Sequence, residues 1–196
     1  MDCFKAIIKL TEDKQFYDKM CNVFGSTDIA TMAKLIEKVE DVENIKCVLM
    51  NGSGCEVSSP DVLRCGFHKD FGYGFYCTGN YRQAVRWAQR KGSNPIVNYY
   101  AYIPNENLKY KKFEHIDEEW AKFIANCRNG LEHDYDIVEG PMADDNVWNY
   151  NADFIAGKMS LKAFLELAKF NYPTHQICFC TKEALKTLTY LRKETL

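Results

Sequence analysis

The sequence predicts an α+β fold. Segments rich in β-branched and aromatic residues mix with helical stretches, without the regular βαβ alternation of a doubly wound sheet. Glycine or proline marks most of the changes in texture. A length of 196 residues fits one domain with a small extension, or two very small domains. An acidic stretch over 37–43 supplies the boundary, giving a helical extension over 1–43 and a main domain over 44–196.

The extension reads as three helices. Phe4, Ile7, Ile8 and Thr11 share one face, and Phe16, Tyr17, Met20 and Phe24 share another before Gly25 stops the run. Ser26, Thr27 and Asp28 offer N-caps for a third helix carrying Ile29, Met32, Ala33 and Ile36. Residues 46–50 then read as a buried strand broken by Asn51, Gly52, Ser53 and Gly54. A glycine-punctuated stretch over 70–78 ends in strand-forming Phe75, Tyr76, Cys77 and Thr78. The next helix carries Tyr81, Ala84, Val85 and Ala88 on its apolar stripe.

Residues 96–103 form a strand between Pro95 and Pro104. Asp117 starts a helix with Glu118 and Glu119 in its positive first turn and Trp120, Phe123, Ile124 and Cys127 on one face. A short strand over 135–139 follows. Two helices are then expected, over about 146–156 and, capped by Ser160, over 161–170. A strand over 175–180 and a final helix starting near Lys182, with Thr181 as its cap, complete the pattern. The strands should form two small, mostly antiparallel sheets.

Composition excludes several function classes. A net charge of −2 gives no general attraction to nucleic acid or to an anionic membrane. No apolar run approaches the ~20 residues needed to span a bilayer, and the first ten residues lack the pattern of a signal peptide, so a cytoplasmic location is expected. The nine cysteines contain no Cys-x-x-Cys pair, and the histidines at 68, 115, 133 and 175 show no zinc-ligand spacing with them. No metal is expected, and the cysteines read mostly as reduced, buried small hydrophobes. Cys178 and Cys180 would share one strand face, which suits a core or a reactive site.

Two short motifs are rejected. Asp70-Phe71-Gly72 spells the magnesium motif of protein kinases, but no catalytic loop or glycine-rich ATP loop accompanies it. Gly72-x-Gly74 opens like a dinucleotide fingerprint, but its third glycine is replaced by Cys77.

Three separated segments carry the functional expectation. They are Leu49-Met50-Asn51-Gly52-Ser53; Asp70-Phe71-Gly72-Tyr73-Gly74-Phe75-Tyr76-Cys77-Thr78; and His175-Gln176-Ile177-Cys178-Phe179. Between and beyond them lie Gln83-Ala84-Val85-Arg86-Trp87-Ala88, Ile96-Val97-Asn98-Tyr99-Tyr100, the run from Tyr135 through Gly140-Pro141-Met142-Ala143-Asp144-Asp145, and Thr181-Lys182-Glu183-Ala184-Leu185. In this order they resemble a bacterial domain-of-unknown-function family of the ADP-ribosyltransferase clan, of the diphtheria-toxin and poly(ADP-ribose) polymerase type. That type carries a His-Tyr-[Glu/Asp/Gln] triad. The resemblance covers roughly residues 46 to 196.

The resemblance implies an ADP-ribosyltransferase-like split β-sandwich in which Asn51, Tyr76 and Gln176 converge on an NAD cleft. NAD would be the substrate, and the reaction would break the bond between nicotinamide and its ribose. Gly52 would hold the carboxamide through its N–H and C=O, and Tyr76 would stack on the nicotinamide ring. Gln176 would meet a ribose hydroxyl, and in this group a residue other than glutamate here implies transfer of a single ADP-ribose. Asn51, Gly52, Ser53, Asp70, Gly74, Phe75 and Tyr76 form the expected cofactor-binding set. Tyr76, Gln176 and Asn51 form the expected catalytic set.

The sequence departs from the family at Asn51, where a histidine contacts the adenine-side ribose, and at Met50, which replaces a tyrosine. A weakened contact there costs ~1–2 kcal/mol, or about tenfold in NAD affinity. Three explanations stand: weak NAD binding, drift to a non-catalytic role, or a deliberate change. Asp144 and Asp145 read either as cleft residues or as a helix N-cap pair. Arg64 and Lys69 read as pyrophosphate contacts or as solvated charges. The alternatives are thus a mono-ADP-ribosyltransferase acting on a macromolecular or small-molecule acceptor, a degenerate NAD- or ADP-ribose-binding or protein-interaction module, and an NAD hydrolase.

Overall fold

Three aspartates start the first three helices. Asp2, Asp13 and Asp28 each accept a backbone N–H three residues on, at 2.9, 2.9 and 2.8 Å, satisfying a donor that the helix itself leaves open. In the computed structural model these helices are α1 (Cys3–Glu12), α2 (Lys14–Phe24) and α3 (Ile29–Ile36). The structure describes residues 1–62, 69–143, 150, 153–154, 156–168 and 173–196. Arg64, His68, Asp144, Asp145 and most of the helix expected over 146–156 lie outside the described residues, as does the end of the helix expected over 161–170.

The chain divides into two compact units. The first gathers Met1–Ser59, Ala84–Asn105 and Lys186–Leu196. Its sheet runs β1 (Cys47–Ser53), β3 (Ile96–Tyr102) and β7 (Leu188–Thr195), antiparallel throughout with β3 in the middle. Every residue of β3 is buried. Ala6, Leu10, Phe16, Met20, Met32 and Ile36 from the three helices share one core with Met50, Val97 and Leu191 from the strands and with Ala84 and Ala88 from α4 (Tyr81–Gln89).

The buried face of α1 differs from the expected one. Phe4 is 72% exposed and Ile7 and Ile8 are exposed, while Ala6 and Leu10 fill the core. The helix packs against α3, and a small alanine there lets two backbones approach more closely than a phenylalanine would.

The second unit comprises Pro60–Gln83 and Glu106–Leu185. Its sheet order is β2 (Phe75–Cys77), β6 (Gln176–Phe179), β5 (Ile137–Gly140), β4 (Tyr110–Lys112). All pairs are antiparallel except β4 with β5, which is parallel. Helix α5 (Glu118–Arg128) is capped by Asp117, and α6 (Leu161–Ala168) starts after Ser160, as the sequence indicates. Trp120, Ile124, Phe164, Phe71, Val138 and Cys178 belong to this unit's core.

Two elements were not foreseen. β4 is three residues long and half exposed, so its sequence carries no clear apolar alternation. The final helix, α7 (Lys182–Leu185), spans only four residues, and residues 188–195 form β7 instead. Thr181 does cap α7, accepting the Ala184 N–H at 3.1 Å. Threonine, tyrosine and leucine at 188–191 suit a strand, and pairing along β3 outweighs the helix-favouring Lys and Glu of this segment.

Candidate functional site

Within the first unit, Asn51, Gly52 and Ser53 end β1. Gly52 faces helix α4: a Cβ there would sit 2.1 Å from the Ala84 carbonyl oxygen and 2.6 Å from the Ala88 nitrogen. Both neighbours are backbone, so only glycine allows this strand and helix to meet. The first-segment glycine and the two alanines of the Gln-Ala-x-x-Trp-Ala segment are thus one packing contact. Asn51 is half-buried and lies opposite Asn98 in the strand register.

Asn98 belongs to the expected strand and to the Ile96–Tyr100 segment of the resemblance, with no role assigned to it from sequence, yet its side chain braces a turn. It is completely buried; its Oδ1 accepts the Val57 N–H at 3.0 Å, and its Nδ2 donates to the Cys55 carbonyl at 3.1 Å. The Tyr100 hydroxyl donates to the Val57 carbonyl. These two side chains hold the turn after β1, where Ser53 Oγ accepts the Cys55 N–H at 3.3 Å.

Within the second unit, β2 and β6 lie side by side, with Tyr76 opposite Cys178. The glycine loop before β2 folds back on Tyr76. The Tyr76 hydroxyl donates to the Gly72 carbonyl at 2.8 Å and accepts the Phe71 N–H at 3.1 Å. Burial raises its pKa well above the ordinary tyrosine value, so the hydroxyl stays protonated. Tyr76 is 6% exposed, and the Lys69 ammonium stands over its ring, 4.7 Å from the centroid. Gly74 packs directly on β6; a Cβ there would meet Cys178 Sγ at 2.1 Å. Phe75, also buried, pairs with Phe179.

Asp70 is the hub of this unit. It is 5% exposed. Its Oδ1 takes Nε and Nη2 of Arg128, an ion pair in which both side chains are 6% exposed. Its Oδ2 takes the Ala143 N–H and the Gln176 side-chain amide, both at 2.8 Å. Gln176 is itself 3% exposed, and its amide nitrogen also reaches the Pro141 carbonyl at 3.4 Å. Arg128 has no place among the expected site residues. Its only sequence signal is position: it follows Trp120 and Ile124 at helical spacing on the apolar side of α5.

The remaining motif residues brace the same unit. Asp136 accepts the Lys109 N–H at 2.9 Å and the Thr181 hydroxyl at 2.7 Å. Glu139 meets His175 Nε2 at 3.2 Å and accepts the Tyr110 hydroxyl. Burial pushes the Glu139 carboxyl up, but the hydrogen bonds from His175 and Tyr110 outweigh it and hold the group down at about 2. Gln83, 2% exposed, clamps the His175 backbone through both ends of its amide.

A family model described as Protein of unknown function (DUF3990) matches residues 47–190. The chain belongs to that family. The match spans all three segments singled out above and all four strands of the second unit's sheet. No curated protein and no solved structure matches the chain. Among the described residues, no cluster of His, Cys, Asp and Glu is arranged to hold a metal ion, and no helix is long and apolar enough to cross a membrane.

Proposed function

We propose that the chain is an NAD-dependent mono-ADP-ribosyltransferase acting in the cytoplasm, with a split β-sandwich of the ADP-ribosyltransferase type over 44–196 and a helical extension before it. The supporting observation is the hydrogen bond from Gln176 to Asp70. It joins the second and third segments of the resemblance, 106 positions apart, in one buried polar cluster beside Tyr76.

In this reading the chemistry is electrostatic and positional. NAD loses nicotinamide through an oxocarbenium-like state at the ribose C1 atom, and a nucleophile on the acceptor attacks that carbon. With its nitrogen committed to Asp70 and Pro141, Gln176 would offer Oε1 to a ribose hydroxyl. Asp70 fixes which end of the amide faces the ribose, because a carboxylate accepts only from the NH2 end. Tyr76 would supply a ring face to nicotinamide. That face must be the one opposite Lys69, or Lys69 must swing away, since two cations cannot share it.

A second reading, a module that binds NAD, ADP-ribose or a protein partner without turnover, draws on Asn51 and on the closed hydrogen bonds of Tyr76. Incubation with labelled NAD and cell lysate, beside an Asn51→His form and a Gln176→Ala form, tests both. Transfer of label that Gln176→Ala abolishes supports the enzyme. NAD binding without nicotinamide release supports the module, and no NAD binding by any form overturns the enzyme and the NAD-binding module alike.

A further inference from the structure

A second reactive cluster lies in the same unit, built from side chains that the NAD reading does not use. Cys178 sits on β6 and Cys180 one residue past its end. The period-two alternation of a strand turns both side chains to one face, and the sulfurs lie 3.4 Å apart. Cys127 of α5 and His133 border the same place: a Cβ on Gly72 would be 3.9 Å from His133 Nε2 and 4.0 Å from Cys127 Sγ.

His133 is oriented to assist a thiolate. Its Nδ1 accepts the Tyr135 N–H at 3.2 Å, so the neutral ring carries its proton on Nε2. Nε2 lies 3.1 Å from the Phe71 carbonyl, and the imidazole stands close enough to Cys180 to favour its thiolate. We propose that Cys180 is a hydroperoxide-reactive thiol whose oxidised form is captured by Cys178.

The neighbourhood favours Cys180 over Cys55, Cys77, Cys127 and Cys178. The groups facing it are Cys178, His133, Cys127, Asp136 and Tyr76. The hydrogen bond between the Cys180 and Cys178 sulfurs, helped by the nearby His133 imidazole, outweighs burial and the Asp136 charge and holds the Cys180 thiol down at about 6. Burial instead pushes the Cys127 thiol up to about 12. Cys77 and Cys178 are completely buried, whereas Cys180 is partly exposed. Cys55 is exposed, but its sulfur lies beside the Ser53 hydroxyl at 3.6 Å rather than beside an imidazole.

The chemistry balances without a further reactant. The Cys180 thiolate, its proton lost to solvent, attacks hydrogen peroxide. The S–O bond forms, the O–O bond breaks, and the hydroxide takes a proton from solvent. The Cys178 thiol then attacks the sulfenyl sulfur; the S–S bond forms and hydroxide leaves with the Cys178 proton as water. Two thiols are oxidised to one disulfide and the peroxide is reduced to two waters. The step reaches the glycine loop, because Cys178 Sγ donates to the Tyr73 carbonyl at 3.7 Å and packs on Gly74.

The test treats the full folded chain with hydrogen peroxide at neutral pH and maps every cysteine by mass spectrometry. In the wild-type chain the peptide holding both cysteines should lose two hydrogens before Cys55 changes. In a Cys178→Ser form, Cys180 should instead accumulate as a sulfenic acid, trapped by dimedone. Iodoacetamide labelling of the wild-type chain should show Cys180 reacting half-maximally near pH 6, a preference lost in denaturant. That profile decides the question even if Cys178→Ser fails to fold. Oxidation of Cys55 ahead of Cys180, or a Cys180 labelling profile unchanged by denaturation, would overturn the proposal.

Discussion

The side-chain amide of Gln176 donates to Asp70 Oδ2 at 2.8 Å, while the other oxygen of the same carboxylate holds Arg128. One buried anion therefore orients a residue on β6, a residue at the end of α5, and the Ala143 backbone. The glycine loop that starts at Asp70 inherits its position from these partners.

Asp70→Ala should be severely destabilising. It leaves the Arg128 guanidinium, 6% exposed, without its carboxylate. Breaking one side of a buried ion pair costs about 3–5 kcal/mol. Urea unfolding of the variant against wild type measures this, and a loss below ~1 kcal/mol would mean the pair does not form.

Gly52→Ala should destabilise the first unit by about 2 kcal/mol or more, because its Cβ would meet two backbone atoms of α4 closer than 3 Å. An unchanged urea midpoint would show that strand and helix do not approach as described.

Acid should weaken the fold through Glu139. Its carboxyl titrates at about 2 in the folded chain, below the ordinary 4.5. Its contribution is complete above pH 4.5. It shrinks as pH falls, since the unfolded chain takes up the proton first, and it vanishes once pH drops through the folded value. The contribution is at most about 3 kcal/mol. Glu139→Gln should flatten this part of the stability–pH curve, measured by thermal unfolding between pH 2 and 7. A variant curve parallel to wild type would exclude the His175 and Tyr110 contacts.

On the proposed NAD-dependent reading, Asn51→His should tighten NAD binding about tenfold, equivalent to ~1.4 kcal/mol, because an imidazole nitrogen reaches farther than the asparagine amide. Calorimetry on both forms reads the affinity, and a nicotinamide-release assay reads turnover. Affinity and turnover both unchanged would remove Asn51 from any contact with NAD.

Much of the fold was legible because its signals are local. Asp28 and Asp117 as caps, Gly25 at the end of α2, and the buried run at 96–102 all follow from neighbours in sequence. What stayed hidden depends on distant partners. β7 is a strand because β3 offers it an edge. Arg128 can be buried because Asp70 neutralises it. Phe4 lies outside while Ala6 and Leu10 lie inside, a choice of face made by the elements packed against α1. For the candidate site, the motifs single out Tyr76 and Gln176 as expectations, but nothing in them shows the enclosure of the Tyr76 hydroxyl by its own loop.

The first unit's sheet draws its strands from residues 47–53, 96–102 and 188–195, and this bears on how the chain emerges from a ribosome. β3 is flanked on one side by β1 soon after synthesis, yet its other edge stays open until the segment carrying β7 has been translated. For that interval the open edge of a strand that the finished fold buries along its whole length is offered to any neighbouring nascent chain. Pairings this remote in sequence also close slowly. Chaperone demand and loss to inclusion bodies should therefore concentrate before residues 188–195 have been made, and a stop codon introduced before residue 188 should yield insoluble product even though most of the second unit has already been made.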